Sequence, residues 1–547
     1  MKSKFYAFLI LNFSVAVTLF SQQGQLDPSF GVNGVVKQSF NQTFGYYDEA
    51  QSLAILNDGK ILVAGKHDYS MVFARFEEDG DLDLSFGDSG AVFIDYAWLA
   101  SDYVSGLIVQ PDGKILALVQ SSRYDSDTGD DGSNTYVMRF SPDLEFDSTF
   151  GHATLYAPMG VAKVETGFEV TTVNSFQLLP NGKILVAGSV RNSFVNGLHT
   201  YVAKLNANGT PDISFGTGGV ALPSWNEPMN SSISIGHLTL QSDGKLLLSG
   251  SYSILFGTSA YVIARLNTDG SIDNSFGING RVTGTLPSAN YYVQKLFLME
   301  DGNLIAWING DLIPPLSLDV IRLKPNGAFD TSFGINGITH IPNEKLNRIA
   351  RIMRDDEGSF FLAGERNDST YYNHPDFALA KLSQDFNWVE DFGNSGLVFN
   401  HDSSTYDRVK SAAILPDGNV LLVGSASPIY YAADMVLAKY FGRDTTVTTD
   451  TVPPPDSLIL NEEGLTILPN PVGENFSLCY PLSELSIITI ELYDSSGRLL
   501  HVFLEKAVRN AGMNCEEFNW PSDVEKGVYF VTLSGRKFAY SGKIIKS

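Results

Sequence analysis

Carboxylates and basic residues recur along this chain at fixed spacing, and such pairs can do acid–base chemistry. An Asp stands three residues before a Phe-Gly pair six times, at Asp27, Asp83, Asp147, Asp212, Asp273 and Asp330. Cations close an apolar run once in each repeat, at Arg75, Arg139, Lys204, Arg265, Arg322, Lys381 and Lys439. Side chains copied in every repeat are structural far more often than catalytic. We therefore expect each Asp to cap its own turn and each cation to pair nearby.

A second concentration of carboxylates could bind calcium, which prefers several carboxylates held by a glycine-containing loop. Its members are Asp125, Asp127, Asp130 and Asp131. The EF-hand spacing fails, because Asp130 stands where that loop needs glycine and Tyr136 stands where it needs glutamate. We therefore favour a solvated acidic loop and predict no cofactor and no metal, with calcium as the alternative.

Catalytic signatures are missing from the sequence. It contains no His-Glu-x-x-His, no Gly-x-Ser-x-Gly and no phosphate-binding loop, and its 8 histidines lack metal-ligand spacing. We therefore predict no catalytic residues and no enzymatic activity. Glycoside hydrolysis needs only two suitably placed carboxylates, and the chain has 61 acidic residues. A polysaccharide-degrading enzyme, either a glycosidase or a lyase, is therefore the alternative.

The secondary-structure elements that must position these residues recur along the sequence as repeats. Each unit has an apolar strand, a turn such as Asp58-Gly59-Lys60, a second strand, a third ending in the cation, and a Phe-Gly turn before a fourth. The Phe-Gly pairs are about 60 residues apart, at Phe30, Phe86, Phe150, Phe215, Phe276, Phe333 and Phe392. Continuous apolar runs, such as Ile-Leu-Val-Ala at 61–64, predict strands covered on both faces. Four strands per unit, sandwiched between neighbouring units, predict the blades of a β-propeller.

The two ends of the array complement each other. A Phe-Gly turn and a fourth strand stand alone at residues 26–36, and the last unit, residues 406–442, ends after three strands. One whole blade results if the N-terminal strand joins the last sheet, and this closure removes two open sheet edges. We therefore predict an all-β fold, a seven-bladed propeller of four-stranded blades over residues 24–442, closed by the N-terminal strand.

The repeats resemble the delta-60 repeat family. The matching motifs are Asp-Gly-Lys-Ile-Leu-Val-Ala-Gly at 58–65 and Leu-Asp-x-Ser-Phe-Gly-x-Asn-Gly at 26–34. Three copies depart from them: Asn181 replaces the turn Asp, residues 357–359 read Glu-Gly-Ser, and Val389 replaces the Asp before Phe-Gly. The resemblance covers about three quarters of the chain. It implies a β-propeller and says little about activity.

Loops of two kinds alternate within each unit and so lie on opposite faces of the predicted ring. The Asp-Gly-Lys and Phe-Gly turns share one face, which we call the repeated face. The loops between second and third strands and between units differ from one another, and we call their face the variable face. Aromatic side chains there could stack on a sugar or hold a peptide, or could pack loops together. The candidate ligand-binding residues are Tyr47, Trp98, Tyr103, Trp225, Tyr292, Tyr372 and Tyr406.

Composition and the N-terminus bear on location. The formal net charge of −24 and the pI near 4.6 argue against binding to nucleic acid. Residues 1–21 place Lys2 and Lys4 before an apolar stretch, which is typical of a secretory signal peptide. A retained anchor is the alternative, although the stretch is shorter than the roughly 20 residues that a span needs. We expect no transmembrane span in the mature protein, and a monomer.

A separate unit follows the repeats. Residues 443–457 are rich in Thr and Pro and predict a solvated tether. Residues 458–547 predict a small β-sandwich from their evenly spaced apolar segments. The candidate strands are residues 476–479, 487–493, 499–504, 527–533 and 542–545. Cys479 and Cys515 lie in this unit and either form a disulfide or remain two buried thiols.

This terminal unit resembles the C-terminal sorting domain of the bacterial type IX secretion system. The matching text is Leu-Pro-Asn-Pro at 468–471, Leu-Tyr-Asp-Ser-Ser-Gly at 492–497, Gly-Val-Tyr-Phe-Val at 527–531 and Lys-Ile-Ile-Lys at 543–546. The candidate sorting residues are Pro469, Asn470, Pro471, Gly497, Gly527, Tyr529 and Lys543. The resemblance implies that the type IX machinery is a partner and that the protein crosses periplasm and outer membrane to the cell surface or the medium. With the repeats, it favours an exported binding protein that engages a glycan or a surface protein through the variable face.

Overall fold

The computed structural model of the chain divides into two compact units, Met1–Thr446 and Val447–Ser547. It describes residues 23–40, 47–68, 70–94, 101–124, 131–151, 159–168, 170–192, 195–225, 231–254, 259–285, 292–309, 316–343, 345–367, 375–400, 405–429, 432–443, 466–468, 475–482, 486–493, 499–509, 512–521, 524, 526–535 and 538–546. The predicted signal peptide and nearly all of the predicted tether lie outside these residues. The domain boundaries drawn from the sequence therefore stay predictions.

The first unit is built of short strands. In chain order they are β1 (Val35–Gln38), β2 (Asp48–Ile55), β3 (Ile61–His67), β4 (Ser70–Phe76), β5 (Ala91–Ile94), β6 (Ser101–Val109), β7 (Ile115–Tyr124), β8 (Asp131–Phe140), β9 (Val161–Lys163), β10 (Val170–Leu178), β11 (Ile184–Asn192), β12 (Val195–Leu205), β13 (Val220–Ala221) and β14 (Ser231–Leu240). They continue with β15 (Leu246–Ile254), β16 (Ala260–Leu266), β17 (Arg281–Gly284), β18 (Tyr292–Leu298), β19 (Leu304–Asn309), β20 (Leu316–Leu323), β21 (Ile338–Asn343), β22 (Arg348–Arg354), β23 (Phe360–Asn367), β24 (Pro375–Leu382), β25 (Leu397–Phe399), β26 (Tyr406–Ile414), β27 (Val420–Ile429) and β28 (Ala432–Tyr440). Among all the residues described, no helix long and apolar enough to cross a membrane is found.

These strands pair in antiparallel groups of four, each consecutive in the chain except the last. The groups are β2–β5, β6–β9, β10–β13, β14–β17, β18–β21, β22–β25, and β26–β28 with β1. A single parallel bridge between Ser133 and Val170 joins the second and third groups into one eight-stranded sheet. The predicted all-β class and propeller architecture are confirmed.

The N-terminal strand closes the array. Val36 of β1 pairs with Leu437 of β28, so the first described strand completes the last group. The first strand of each group also contacts the first strand of the next, and β26 contacts β2 in turn. The seven first strands therefore surround an axis, and we call the space they enclose the axial channel.

The core lies between neighbouring groups. In β3, Leu62 and Val63 are both fully buried, but they belong to different apolar clusters. Val63 packs with Leu437 of the last group, whereas Leu62 packs with Val104 of the second. Successive side chains of a strand point to opposite faces, so a strand covered on both sides needs an unbroken apolar run. This explains why these strands do not alternate between apolar and polar residues.

Each first strand carries a β-bulge at the same position. One extra residue interrupts its pairing with the second strand, and these bulge residues are Gln51, Ser105, Asn174, Gly236, Gln294, Ala350 and Lys410. Several of them bond across groups: Asn174 Nδ2 donates to Ile235 O at 2.5 Å, and Gln294 Nε2 donates to Ile349 O at 3.2 Å. A bulge bends its strand and redirects side chains. The seven bulges therefore fix which residues line the axial channel.

The second unit is a two-sheet sandwich. Its strands are β29 (Thr466–Leu468), β30 (Asn475–Leu482), β31 (Ser486–Tyr493), β32 (Leu499–Arg509), β33 (Gly512–Asn519), β34 (Gly527–Gly535) and β35 (Phe538–Lys546). One sheet has the order β29-β30-β33 and the other β32-β31-β34-β35. Phe476 and Leu478 of the first sheet share a core with Ile490 and Val531 of the second. A disulfide between Cys479 and Cys515 joins β30 to β33 and resolves the question that the sequence left open.

Candidate functional site

The repeated Asp residues hold turns and cations on the repeated face. Asp83 Oδ1 accepts hydrogen bonds from the amide and the hydroxyl of Ser85, at 3.1 and 2.5 Å. Its Oδ2 accepts from Arg75 Nε at 2.6 Å and from Lys60 Nζ at 2.8 Å. Burial alone would raise the pKa of Asp83, but the hydrogen bonds from these three donors outweigh burial and hold that pKa well below its usual range. We call this arrangement an ion cage.

Ion cages recur around the ring. The further carboxylates with their cations are Asp147 with Arg139 and Lys114, Asp212 with Lys204 and Lys183, Asp273 with Arg265 and Lys245, Asp330 with Arg322, and Asp27 with Lys439. Where Val389 replaces the Asp, Lys381 Nζ donates to Gly442 O at 2.9 Å instead. The repeated Asp side chains thus cap their own turns and pair with nearby cations, as the sequence predicts.

The variable-face end of the axial channel is lined by the residues two positions before each bulge. We call them the mouth: Glu49, Tyr103, Thr172, Ser234, Tyr292, Arg348 and Arg408. Each first strand enters from a loop of the variable face, which places these positions near that face. The next residue along each strand is apolar and buried between groups, as Val104 and Val293 are. Alternation along the strand therefore turns the mouth residues away from the core.

Two of the predicted ligand-binding aromatics occupy equivalent positions in the mouth. Tyr103 lies in the second group and Tyr292 in the fifth, and 37% of each residue's surface is exposed. Tyr292 Oη accepts a hydrogen bond from Asn309 Nδ2 at 3.2 Å, which orients its ring. Partial burial raises the pKa of Tyr103, so its phenol stays protonated and can donate a hydrogen bond.

Charged residues occupy the other side of the mouth. Glu49 accepts from the bulge residue Lys410, with Nζ at 2.6 Å from Oε1. Arg348 pairs with the buried Glu365 at 2.5 Å, and its guanidinium also donates to Val409 O at 3.3 Å. Burial raises the pKa of Glu365, and the charge of Arg348 offsets only part of that increase. The mouth thus presents aromatic, hydroxyl and charged groups around one opening.

The structure distributes the remaining predicted aromatics differently. Tyr47 and Tyr406 both stand four positions before a bulge, in the first and last groups, and Tyr47 is 38% exposed. The Arg408 guanidinium lies over the Tyr406 ring at 5.2 Å. Trp225 is instead buried in the core between the third and fourth groups, packed with side chains such as Leu248, so the prediction of an exposed ring is wrong there. Trp98 and Tyr372 lie outside the described residues.

The predicted calcium ligands and sorting residues fall mainly outside the described part of the chain. Asp125, Asp127 and Asp130 lie outside it, and Asp131 is described only by its backbone in β8. Among the residues described, no three His, Cys, Asp or Glu side chains come together as metal ligands. Of the sorting residues, Pro469, Asn470, Pro471 and Gly497 lie outside, whereas Gly527, Tyr529 and Lys543 belong to the paired strands β34 and β35.

A third set of channel residues escaped the sequence analysis. One position after each bulge stand Ser52, Gly106, Ser175, His237, Lys295, Arg351 and Ser411. Three of these are basic, and each is followed by an apolar residue of its strand, as Lys295 is by Leu296. A basic residue inside a first strand was the available signal.

Two family descriptions match the chain. "Domain of unknown function (DUF5122) beta-propeller" matches residues 56–86, 110–150, 179–215 and 241–276, and "Secretion system C-terminal sorting domain" matches 466–547. No curated protein sequence matches the chain. Both resemblances inferred from the sequence are confirmed. The terminal match also identifies an exported protein that uses the type IX machinery to reach the cell surface or the medium.

The solved structures that match the chain have low sequence identity to it and low TM-scores. Polysaccharide lyase Uly1 has 12% identity and a TM-score of 0.43, covering 78% of this chain and 97% of that one. An acylaminoacyl peptidase of Pyrococcus horikoshii has 11% identity and a TM-score of 0.35, covering 82% and 60%. An endo-arabinase from Bacteroides thetaiotaomicron has 13% identity and a TM-score of 0.28, covering 56% and 98%. Similarity at this level says nothing about activity here.

Proposed function

We propose that this exported protein, which carries DUF5122 β-propeller repeats and a type IX sorting domain, is a binding protein that engages a glycan at the mouth of its axial channel. The observation that carries the proposal is the placement of Tyr103 and Tyr292. They occupy equivalent positions in two groups of the ring, and both are partly exposed at one opening.

The chemistry of the mouth suits a sugar. A tyrosine offers a flat apolar ring that can stack on the C–H face of a sugar and a hydroxyl that can bond its oxygens. The guanidinium of Arg408, which is exposed, adds donors around the same opening. The hydroxyl of Thr172 donates to Ser189 O at 3.3 Å and adds an acceptor. A few polar groups placed around apolar surface are typical of small-molecule and saccharide sites.

Hydrolysis or elimination of a polysaccharide is the second candidate, favoured by one observation. Glu365 combines burial, a raised pKa and a position behind the mouth, which are features of a carboxylic acid that donates a proton. Glu49 is a second carboxylate at the same opening and pairs with Lys410 at 2.6 Å. Because the two carboxyl groups lie in different environments, Glu365 would act as the acid and Glu49 as the base.

A glycan array probed with the full-length protein tests the binding function. Tyr103→Ala and Tyr292→Ala should each weaken binding of any retained glycan by about tenfold, the equivalent of about 1.4 kcal/mol. Ile213→Ser is the matched control, because it removes an 82% exposed apolar side chain from the repeated face. Binding that is absent in the native protein, or unchanged in both tyrosine variants, would contradict the proposal.

Release of new sugar ends tests the second candidate. Polysaccharides retained on the array are incubated with the native protein and with Glu365→Gln, and reducing ends and unsaturated products are measured. Turnover that disappears in the variant would favour the enzyme. Binding without turnover in the native protein would leave the binding function alone.

A further inference from the structure

Three neighbouring groups of the ring each place one basic side chain at the same depth in the axial channel. His237, Lys295 and Arg351 all stand one position after the bulge, in the fourth, fifth and sixth groups. The equivalent residues of the other four groups are neutral: Ser52, Gly106, Ser175 and Ser411. At this depth the channel therefore has basic residues on one side and neutral residues on the opposite side.

The three side chains influence one another electrostatically. Lys295 and Arg351 both lower the pKa of His237, and Arg351 lowers that of Lys295. Burial is the larger cause in each case and brings the pKa of His237 down to about 3. His237 is thus neutral at pH 7, whereas Lys295 and Arg351 are both cations. Two like charges held near each other inside a protein destabilise the folded state.

Among the described residues, no carboxylate pairs with Lys295 or Arg351. Within the described part of the chain, the Lys295 ammonium has no hydrogen bond and no ion pair, and the Arg351 guanidinium donates only to the adjacent Ala350 O, at 3.1 Å. Glu49 of the mouth and Glu365 behind it pair with other cations, Lys410 and Arg348.

Composition does not explain the missing counter-charge. The chain has 61 acidic residues against 37 basic ones. On the repeated face, six of the strand-ending cations each form an ion pair with an Asp. A buried cation without a partner is unfavourable, so groups of this kind are retained chiefly where a ligand supplies the opposite charge.

We propose that the axial channel binds an oxyanion, with Lys295 and Arg351 as its charge partners. A carboxylate, a sulfate or a phosphate presents several oxygens to such donors, and the guanidinium can offer two parallel N–H groups to one of them. This site is distinct from the stacking surface of Tyr103 and Tyr292 and stands whether or not a glycan binds there.

The anion enters from the variable face. Two positions further toward the repeated face, the first strands carry mainly apolar side chains, including Ile108, Phe297 and Met353, which pack against the inter-group cores. An ion would lose its hydration there without gaining a partner. The mouth, with its hydroxyl and charged groups, offers a polar path to the same depth.

The oxyanion can be a free inorganic ion or a group carried on a sugar, and calorimetry with four probes distinguishes these sources. Sodium sulfate, sodium phosphate, sodium glucuronate and glucose are titrated into the full-length protein at low, constant ionic strength. Saturable binding of the anions but not of glucose supports the site. Binding of glucuronate alone assigns the anion to a sugar acid, and equal binding of sulfate or phosphate assigns it to a free ion.

Charge-removing variants locate the site. Lys295→Met and Arg351→Met should each raise the Kd of the bound anion at least tenfold, whereas Arg351→Lys should retain measurable binding. Lys163→Met is the matched control, since it removes one positive charge from the outer strand β9, where Lys163 pairs with Glu165, and should leave the Kd unchanged.

Thermal melting keeps the test independent of folding defects. Without an anion, Lys295→Met should melt at the native temperature or above it, because a buried repulsive charge is removed. Addition of the anion should raise the melting temperature of the native protein and not that of the variant. Absence of saturable binding for all three anions, or an unchanged Kd in both methionine variants, would overturn the proposal.

Discussion

The repeated face holds the buried Arg265 and the axial channel holds the half-buried Arg351, and the surroundings of the two arginines are opposite. Arg265 donates to Asp273 Oδ2 at 2.7 Å and to Pro325 O at 2.6 Å. Arg351 donates only to Ala350 O among the described residues, and its charged neighbours are other cations. Arginine therefore links neighbouring groups on the repeated face, through Arg265. In the axial channel, Arg351 leaves its charge available to a ligand.

Symmetry separates the two uses. The fold needs every group to make similar contacts with its neighbours, so a feature present in nearly all groups is explained by the fold alone. The ion cages are of this kind. Basic residues at one depth of only three consecutive groups break the symmetry of the ring, and the packing of the groups does not require them.

The largest expected effect on stability comes from removing the carboxylate of an ion cage. Asp273→Ala removes the partner of Arg265 and Lys245, of which Arg265 is 7% exposed, and leaves a buried guanidinium without its carboxylate. Breaking such a pair from one side should lower the free energy of unfolding by about 3 kcal/mol. Urea unfolding followed by tryptophan fluorescence measures the loss.

A weaker cage provides the control. Asp330 lies 3.3 Å from Arg322, which is 31% exposed and also pairs with Asp301 at 2.6 Å. Asp330→Ala should therefore lower the free energy of unfolding by clearly less than Asp273→Ala does. Equal losses in the two variants would show that the carboxylates act through their turns and not through the cations.

Acid should affect the channel before it affects the cages. Burial, together with the charges of Lys295 and Arg351, lowers the pKa of His237 to about 3. An unfolded histidine takes up its proton near pH 6.5, so the unfolded state binds more protons below that pH and stability falls as pH decreases toward 3. The slope attributable to His237 should be at most about 1.4 kcal/mol per pH unit between pH 6 and 4.

The cages should respond only at lower pH. Hydrogen bonds from Lys183 and Ser214 hold the pKa of Asp212 at about 2, below its unfolded value, so its stabilising contribution is complete above about pH 4 and is lost as pH falls toward 2. Urea unfolding at several pH values distinguishes the two windows. His237→Gln should flatten the upper window and leave the lower one intact, and an unflattened profile would remove His237 as its cause.

Sequence reasoning predicted the architecture because repetition samples the same contacts many times. Phe30, Phe86 and four of their five equivalents are buried, with Phe333 only partly buried, and the continuous run at 61–64 is covered on both faces. The pairing of β1 with β28 was predictable because the last unit, residues 406–442, lacks a fourth strand and residues 26–36 supply one. In the terminal unit, β33 was missed because its sequence, Gly-Met-Asn-Cys-Glu-Glu-Phe-Asn, has little β-propensity; its pairing with β30 and the disulfide hold it there.

The candidate site was less predictable because it depends on depth within the ring. Tyr103 and Trp225 look alike in sequence, each an aromatic residue between units, yet one lies at the mouth and the other in the core. Position relative to the bulge decides which first-strand residues reach the channel. The bulge residues are chemically diverse, including a glycine, Gly236, and a lysine, Lys410, so no residue type marks the bulge in the sequence.

The smallest expected effect comes from restoring the missing carboxylate of the sixth group. Val389→Asp would bring a carboxylate to Lys381, as in the other cages, but Lys381 already donates to Gly442 O at 2.9 Å and to Gln23 Oε1 at 3.3 Å. The substitution also removes a partly buried apolar side chain and places a third negative charge beside Glu390 and Asp391. These contributions oppose one another, so the free energy of unfolding should change by less than about 0.5 kcal/mol. A double-mutant cycle with Lys381→Met measures the coupling; a gain above about 1.5 kcal/mol would mean that a carboxylate, and not any acceptor, is what completes a cage.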